Sequence, residues 1–595
     1  MTDPWKHIGP TADDEVWVGH TASTRFPVYT RGNIGEVYPA VFVPLSFSVA
    51  AEPAERAMRT AILASGLIRP EELEPIPLTT AVGSGVFGGY AYLNLSIQRL
   101  AAARMPGGRA SDADRAYLGA GEELPSEEPD PHQRNLRAGL AGVRYLRRVL
   151  ATTELPDLDG DQIRVDRFLA GLPDTTTASD QELRASLPTL MPLFTDLFER
   201  HLLVTVAAGS ALTMLSVLCE RRLGDDTLAP RLLTGLGDVD SAAPSHALWA
   251  LARSVRADPE IEAEFERGPG PAAAGLEPRL RASDSSAVAG FVAEFDEFLA
   301  RFGSRGPNEW DLAFDTWETD PALALTLIDR LRGTGEDHDP ALQQARLAAE
   351  AAELEAACLA RLRRPERWLF RRALASARLH ARARERTKTT VVRALHGARL
   401  RARELDRRAT AHGGRPGDLW FLLESELDDY LADPAAAAGL IAGRREQHRR
   451  LAERIPPFSF RGTQPPLSAW ALRGRSLEAV APGHTLTGLP GCPGRATGRA
   501  RVVTDPGDPR GLAPGDVLIA PLTDPAWTPL FMAAEAVVVD VGAIMSHAVI
   551  VSRELGIPCV VSATDASRRI PDGAMVDVDG SAGTVTVLAE PGDGA

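Results

Sequence analysis

The chain has 595 residues, 44% of them apolar and 24% charged, and a net charge of −15. That length calls for more than one hydrophobic core, and the apolar content excludes a disordered chain. The acidic balance argues against a general polyanion binder, and the scattered Cys219, Cys358, Cys492 and Cys559 show neither a disulfide framework nor metal-ligand spacing, which suits a reducing cytoplasm.

The opening MTDPWKHIGP lacks the basic-then-apolar order of a signal peptide. From about residue 20 to 100, short strand-like runs alternate with turns. Gly83 to Gly88 spells G-x-G-x-x-G, but no acidic residue follows at the distance a dinucleotide fold requires, so the match carries no cofactor. Gly107 to Pro131 reads as a polar loop holding Glu122, Glu123, Glu127 and Glu128. From about 130 to 450 the text is mainly helical. Within it, Leu202 to Cys219 is uncharged and almost long enough to cross a membrane, but its Ser, Thr and Gly content predicts a buried core helix, and no membrane is expected. A long helical stretch starts at Pro340, breaks at Pro365 and resumes to about His412.

Composition then shifts. Residues 481–494, APGHTLTGLPGCPG, predict a flexible hinge without regular structure. Residues 495–595 alternate short apolar runs with one helix and predict a compact α/β module. Residues 1–480 predict a large, mainly helical domain, so the fold class is multidomain α/β.

One histidine stands out in that module. Ala536 to Asp540 reads as a buried strand, Val541 to Met545 as a turn in which Gly542 is conformationally free, and Ser546 as the N-cap of a helix that ends at Gly556 before Pro558. His547 then sits in the first helical turn, where unpaired backbone N–H groups favour anions. A neutral imidazole there is either a nucleophile for a phosphoryl group or a ring that merely hydrogen-bonds near a cap. Upstream, Arg384 and Lys388 lie four residues apart, on one helix face, and two cations so placed can clamp phosphoryl oxygens. The plainer reading is a solvated basic helix, since Arg371, Arg372, Arg378, Arg382, Arg393, Arg399 and Arg401 crowd the same segment.

The stretches Thr523 to Phe531, Val541 to Ala548 and Ser552 to Pro558 together resemble the swivelling phosphohistidine domain of the PEP-utilising enzymes, with Ala543 where the family usually has a second glycine. Thr30 to Pro39, Gly89 to Asn94 and Arg301 to Leu312 resemble the substrate-binding domain of the rifampin phosphotransferase group, with Ser304 where relatives usually carry histidine. Arg384-Glu385-Arg386-Thr387-Lys388 resembles the Arg-Glu-x-x-Lys segment that steadies the transferring phosphoryl group. The resemblance implies that His547 is the phosphohistidine, Gly542 and Ser546 shape its loop, and Arg384 and Lys388 serve the transfer. No segment resembles an ATP-grasp domain, and the chain ends soon after the module, which leaves no place for a pyruvate-binding barrel. The expected partner is therefore an ATP-grasp protein that holds ATP and Mg, and the expected acceptor a small-molecule hydroxyl. The alternatives are a phosphohistidine carrier that relays phosphate to another protein and, disfavoured by the net charge, a nucleic-acid binder. The expectation includes no metal site and no nucleic acid. For the general base, Glu309, His396 and His412 are candidates.

Overall fold

A computed structural model describes residues 19–105, 108–118, 136–225, 227–237, 239–240, 242–267, 275–473, 477–504, 512–523, 527–542, 546–563 and 565–592. The acidic cluster at Glu122 to Glu128 and the turn residues Ala543 to Met545 lie outside them.

The N-terminal domain carries a four-stranded antiparallel sheet built from β1 (Val28–Thr30), β2 (Ser84–Phe87), β3 (Tyr90–Asn94) and β4 (Ser459–Arg461), in the order β2-β3-β1-β4. Because β4 arrives after the whole helical stretch, the sheet ties the two ends of the domain together. Residues 20–100 are less strand-rich than the sequence suggests. Pro44–Ala64 forms a 21-residue helix, α1, despite Pro53 in its interior. Its apolar face, including Phe47, Val49 and Ala57, is buried in one core with Tyr29, Phe87 and Tyr92. Here tertiary burial outweighs the local cost of the proline.

The G-x-G-x-x-G segment does bind an anion, but an internal one. The Glu55 carboxylate accepts hydrogen bonds from the backbone N–H groups of Val82 (3.0 Å), Gly83 (3.1 Å) and Ser84 (3.1 Å) and from Arg59 Nε (2.7 Å). Gly83 is needed for space, since a Cβ there would fall 2.0 Å from Met58 Cγ. Glu55 is 1% exposed, so Glu55→Ala leaves three N–H donors and Arg59 without their acceptor. The expected loss is about 3–5 kcal/mol in urea unfolding of this domain. A loss below about 1 kcal/mol would contradict a structural role for the nest.

Helix α2 (Leu190–Leu218) contains the uncharged stretch. It is the helix among the described residues long and apolar enough to cross a membrane. Here it packs against α1 and against α4 (Arg364–Ala411), burying Phe194, Leu197, Val204, Ala208, Ala211 and Leu215. The hydroxyls of Thr205, Ser210 and Thr213 donate to carbonyls one turn back, which satisfies them within the helix. Helix α3 (Pro340–Arg361) precedes α4, and both open with proline in the first turn, where its missing N–H costs nothing. At 48 residues, α4 is about 70 Å long.

The C-terminal module is one eight-stranded mixed sheet. Its strands are β5 (Thr485–Thr487), β6 (Leu489–Cys492), β7 (Arg495–Val502), β8 (Asp516–Ala520), β9 (Ala534–Val539), β10 (Cys559–Val561), β11 (Met575–Asp579) and β12 (Thr584–Ala589), in the order β6-β10-β9-β8-β7-β11-β12-β5. The expected hinge at 481–494 is thus not irregular: it supplies both edge strands, β5 and β6. Its glycines serve close backbone approach rather than looseness. A Cβ at Gly488 would meet the Val561 carbonyl oxygen at 2.5 Å, and one at Gly491 the Cys559 oxygen at 3.0 Å. Pro490 is tolerated because β6 is an edge. The module is already engaged at Val480, whose N–H donates to Arg569 O (2.8 Å).

Candidate active site

His547 opens helix α6 (His547–Leu555), which follows the one-turn helix α5 (Thr528–Phe531). Ser546 caps α6, its hydroxyl accepting from Val549 N–H at 3.3 Å, and Gly556 ends it at φ 67°. The ring is held on both nitrogens: Nε2 lies 3.1 Å from Thr528 Oγ1, and Nδ1 lies 3.4 Å from Thr523 Oγ1. Phe531 meets it edge-on at 5.9 Å. Enclosure, then the positive charges of Lys388, Arg305 and Arg384, hold the imidazole pKa well below its ordinary 6.5. The ring is therefore neutral at physiological pH and keeps one nitrogen lone pair for nucleophilic attack.

Those cations come from the other domain. The module is docked so that Gly542 and the start of α6 face the N-terminal domain, where Lys388, Arg305 and Arg384 lie. Lys388 Nζ sits 3.2 Å from Glu309 Oε1, and Arg305 Nε sits 2.6 Å from Glu309 Oε2. Glu309 is fully buried. Burial alone would raise its pKa, but Arg305 and Lys388 outweigh that and keep it below the ordinary carboxylate value. Arg384 approaches an acid only loosely, at 3.9 Å from Glu385. Among the described residues no closer ion pair of its guanidinium is seen. Beside it, His201 Nδ1 lies 3.0 Å from Thr387 Oγ1. Burial, then Arg384 and Lys388, push that ring down to about 3.

The expected cluster of His547, Arg384 and Lys388 is therefore brought together, with Gly542 and Ser546 beside it. The solvated-helix reading fits other arginines of α4: Arg378 pairs with Glu355, and Arg393 with Asp166. The three base candidates fall away. Glu309 is locked between two cations, His396 Nε2 is bound to Glu318 at 2.8 Å, and His412 is an exposed end residue bonded to Arg408 O. Among the described residues, no group of three His, Cys, Asp or Glu side chains gathers to hold a metal.

Sequence reasoning missed Glu36, Arg305, His201, Thr523 and Thr528. Glu36 accepts a hydrogen bond from the backbone N–H of His547 at 3.0 Å, across the domain boundary. Burial pushes its pKa up to about 8, offset only partly by hydrogen bonds from His547 N–H and Ser546 and by Arg384 and Lys388. Glu36, Arg305, Thr523 and Thr528 stand inside the motif blocks, so the available signal was their membership of those blocks. His201 had no such signal.

The PEP-utilising enzyme mobile domain matches residues 512–583, and the fourth domain of rifampicin phosphotransferase matches residues 200–385. Through these two matched regions the chain resembles the PEP-utilising enzyme family. It is 30% identical over 594 residues to a protein of Mycobacterium tuberculosis, covering 95% of this chain and 62% of that one. It is 29% identical to the prodigiosin synthesizing transferase of Serratia marcescens (71% of this chain, 47% of the relative) and 28% identical to the rifampicin phosphotransferase of Streptomyces sviceus (70% and 48%). The chain thus spans between about half and two thirds of the relatives' length. The mobile-domain match covers α6 and His547, and the fourth-domain match covers α2 from residue 200 onward together with Arg305, Glu309 and Arg384, stopping three residues short of Lys388. The site lies at the contact between the two matched regions.

Proposed function

We propose that the chain is the carrying and receiving part of a dikinase-type phosphotransferase, which moves a phosphoryl group on His547 to a hydroxyl of a small molecule. The observation that supports this most is the meeting of a neutral His547 with Arg384, Lys388 and Arg305, contributed by a different domain. An ATP-grasp partner, with ATP and Mg, would supply the phosphoryl group.

At the receiving station the chemistry belongs to this chain. Thr523 and Thr528 fix the ring plane. Lys388, Arg384 and Arg305 face the charge that spreads over the phosphoryl oxygens in flight. The P–N bond breaks and its electron pair returns to the ring nitrogen. The hydroxyl oxygen forms the new P–O bond and gives up its proton to a base. Trp310, 5.7 Å from His201, is buried with Phe198 and Tyr38 in the core beside it. The test uses ATP labelled separately at the β and γ positions, with an ATP-grasp protein added in trans. Label from the β position on His547 is the expected result; no label on His547 from either position overturns the reading.

Docking has a predicted pH dependence. Glu554 is half-buried against the other domain, and desolvation there pushes it up to about 7, offset in part by a hydrogen bond with the Leu236 backbone and by Arg382. Glu36 is pushed up to about 8. Both docked values are raised, so their contribution is complete below the ordinary carboxylate range and is lost as pH rises through 7 and 8. His547 is lowered, so its proton opposes docking only below 6.5. Between pH 6.5 and 8 the carboxyls alone decide. Docking should weaken with rising pH by up to ~1.4 kcal/mol per unit for each carboxyl. Amide exchange of α6, corrected for intrinsic chemistry, measures it; exchange that slows over this window would contradict the sign.

A further inference from the structure

Glu36 does more than neighbour the site. It stands on the one-turn helix Ile34–Val37, presented by Asn33 in the left-handed region at φ 69°. Arg31 anchors that turn by donating to Tyr38 O and Ala91 O, both at 3.1 Å. The Glu36 side chain is 5% exposed, and its two oxygens are used differently. Oε2 takes the His547 N–H, and the Ser546 hydroxyl also hydrogen-bonds the carboxyl. Oε1 is buried without a hydrogen-bond partner. A Cβ at Gly542 would lie 3.0 Å from Oε1, so a glycine there leaves the carboxyl its room. The carboxyl therefore lies against Gly542, Ser546 and His547.

We infer that Glu36 is the positioning residue with which the N-terminal domain grips the phosphohistidine loop, holding His547 in register with Arg384 and Lys388 at the receiving station. This rests on the phosphocarrier reading of His547. The grip acts on the backbone of residue 547 rather than on its ring, so it sets where the ring stands without consuming either nitrogen. It also occupies the unpaired N–H at the start of α6, a position that attracts an acidic group. A carboxyl that carries a proton in this buried setting brings no second negative charge beside the phosphoryl group.

The test measures amide hydrogen exchange in the full unphosphorylated chain for the wild type, E36Q, E36A and E36D. Glutamine keeps an acceptor oxygen at the same reach; alanine removes it and aspartate withdraws it by one methylene. Exchange at residues 547–551 should rise roughly tenfold in E36A and E36D, the size of one lost buried hydrogen bond, and stay near wild type in E36Q. Exchange across α2 reports whether the fold is intact; if E36A disturbs it, E36D and E36Q decide. Wild-type protection in the shortened variants, or loss of protection in E36Q equal to that in E36A, overturns the grip. A second arm treats the same proteins with potassium phosphoramidate and follows the phosphorus signal on His547, expected to appear faster in E36A as the loop is released. If His547 takes up no phosphorus in any variant, the phosphocarrier reading fails, and the exchange data alone still judge the grip.

Discussion

Replacing His547 with asparagine is expected to abolish the phosphorylated intermediate and to lower phosphoryl transfer by at least about a thousandfold, the scale of losing a covalent nucleophile. The amide of asparagine can still hydrogen-bond Thr523 or Thr528, but it has no lone pair that forms a stable bond to phosphorus. The fold should survive, because the side chain is only partly buried, and Glu36 binds the backbone N–H of residue 547, which every substitution except proline retains. That separates chemistry from docking: H547N should keep the protection of α6 while losing all alkali-stable phosphate. Phosphate retained through an alkaline quench, or turnover within a few-fold of the wild type, would remove His547 from the centre of the mechanism. Loss of turnover accompanied by loss of α6 protection would instead mean that the ring itself holds the module in place.

What was legible in the sequence follows from the range over which each signal acts. Helix α6 was readable to the residue, since Ser546, Gly556 and Pro558 are local signals that need no partner. The break between α3 and α4, at Leu362 and Arg363 just ahead of Pro365, was readable for the same reason. The Gly- and Pro-rich stretch 481–494 misled because the same residues serve looseness in one context and close strand packing in another; only the neighbouring β10 and β12 decide which. Helix α1 was obscured by Pro53, whose cost is outweighed by a core assembled from distant strands. In the site, His547, Arg384 and Lys388 carry motif spacing. The contact of Glu36 with His547 spans 511 positions, and no local pattern encodes it. Arg305 and Glu309 could be seen as a charged pair at helical spacing, but not that Lys388 completes them.

The cationic side of the site gives the second large effect. Lys388→Met should slow phosphoryl transfer by about a hundredfold to a thousandfold, the usual cost of removing one preorganised donor to a developing charge. The same change also strips Glu309 of one of its two partners, and an under-compensated buried carboxylate costs about 3–5 kcal/mol, so lost activity alone could mean lost structure. The double variant K388M/E309Q separates the two. Removing the carboxylate's charge along with the ammonium leaves Arg305 bonded to a neutral amide, and because Arg305 is itself buried and loses its counter-charge, thermal stability should return only in part, while the transfer rate does not return. Arg384→Met makes the complementary case: with only a 3.9 Å contact to Glu385, it should slow transfer without much change in stability. If K388M/E309Q recovers the rate together with the stability, Lys388 is a scaffold for Glu309, and the clamp on the phosphoryl group reduces to Arg384 and Arg305.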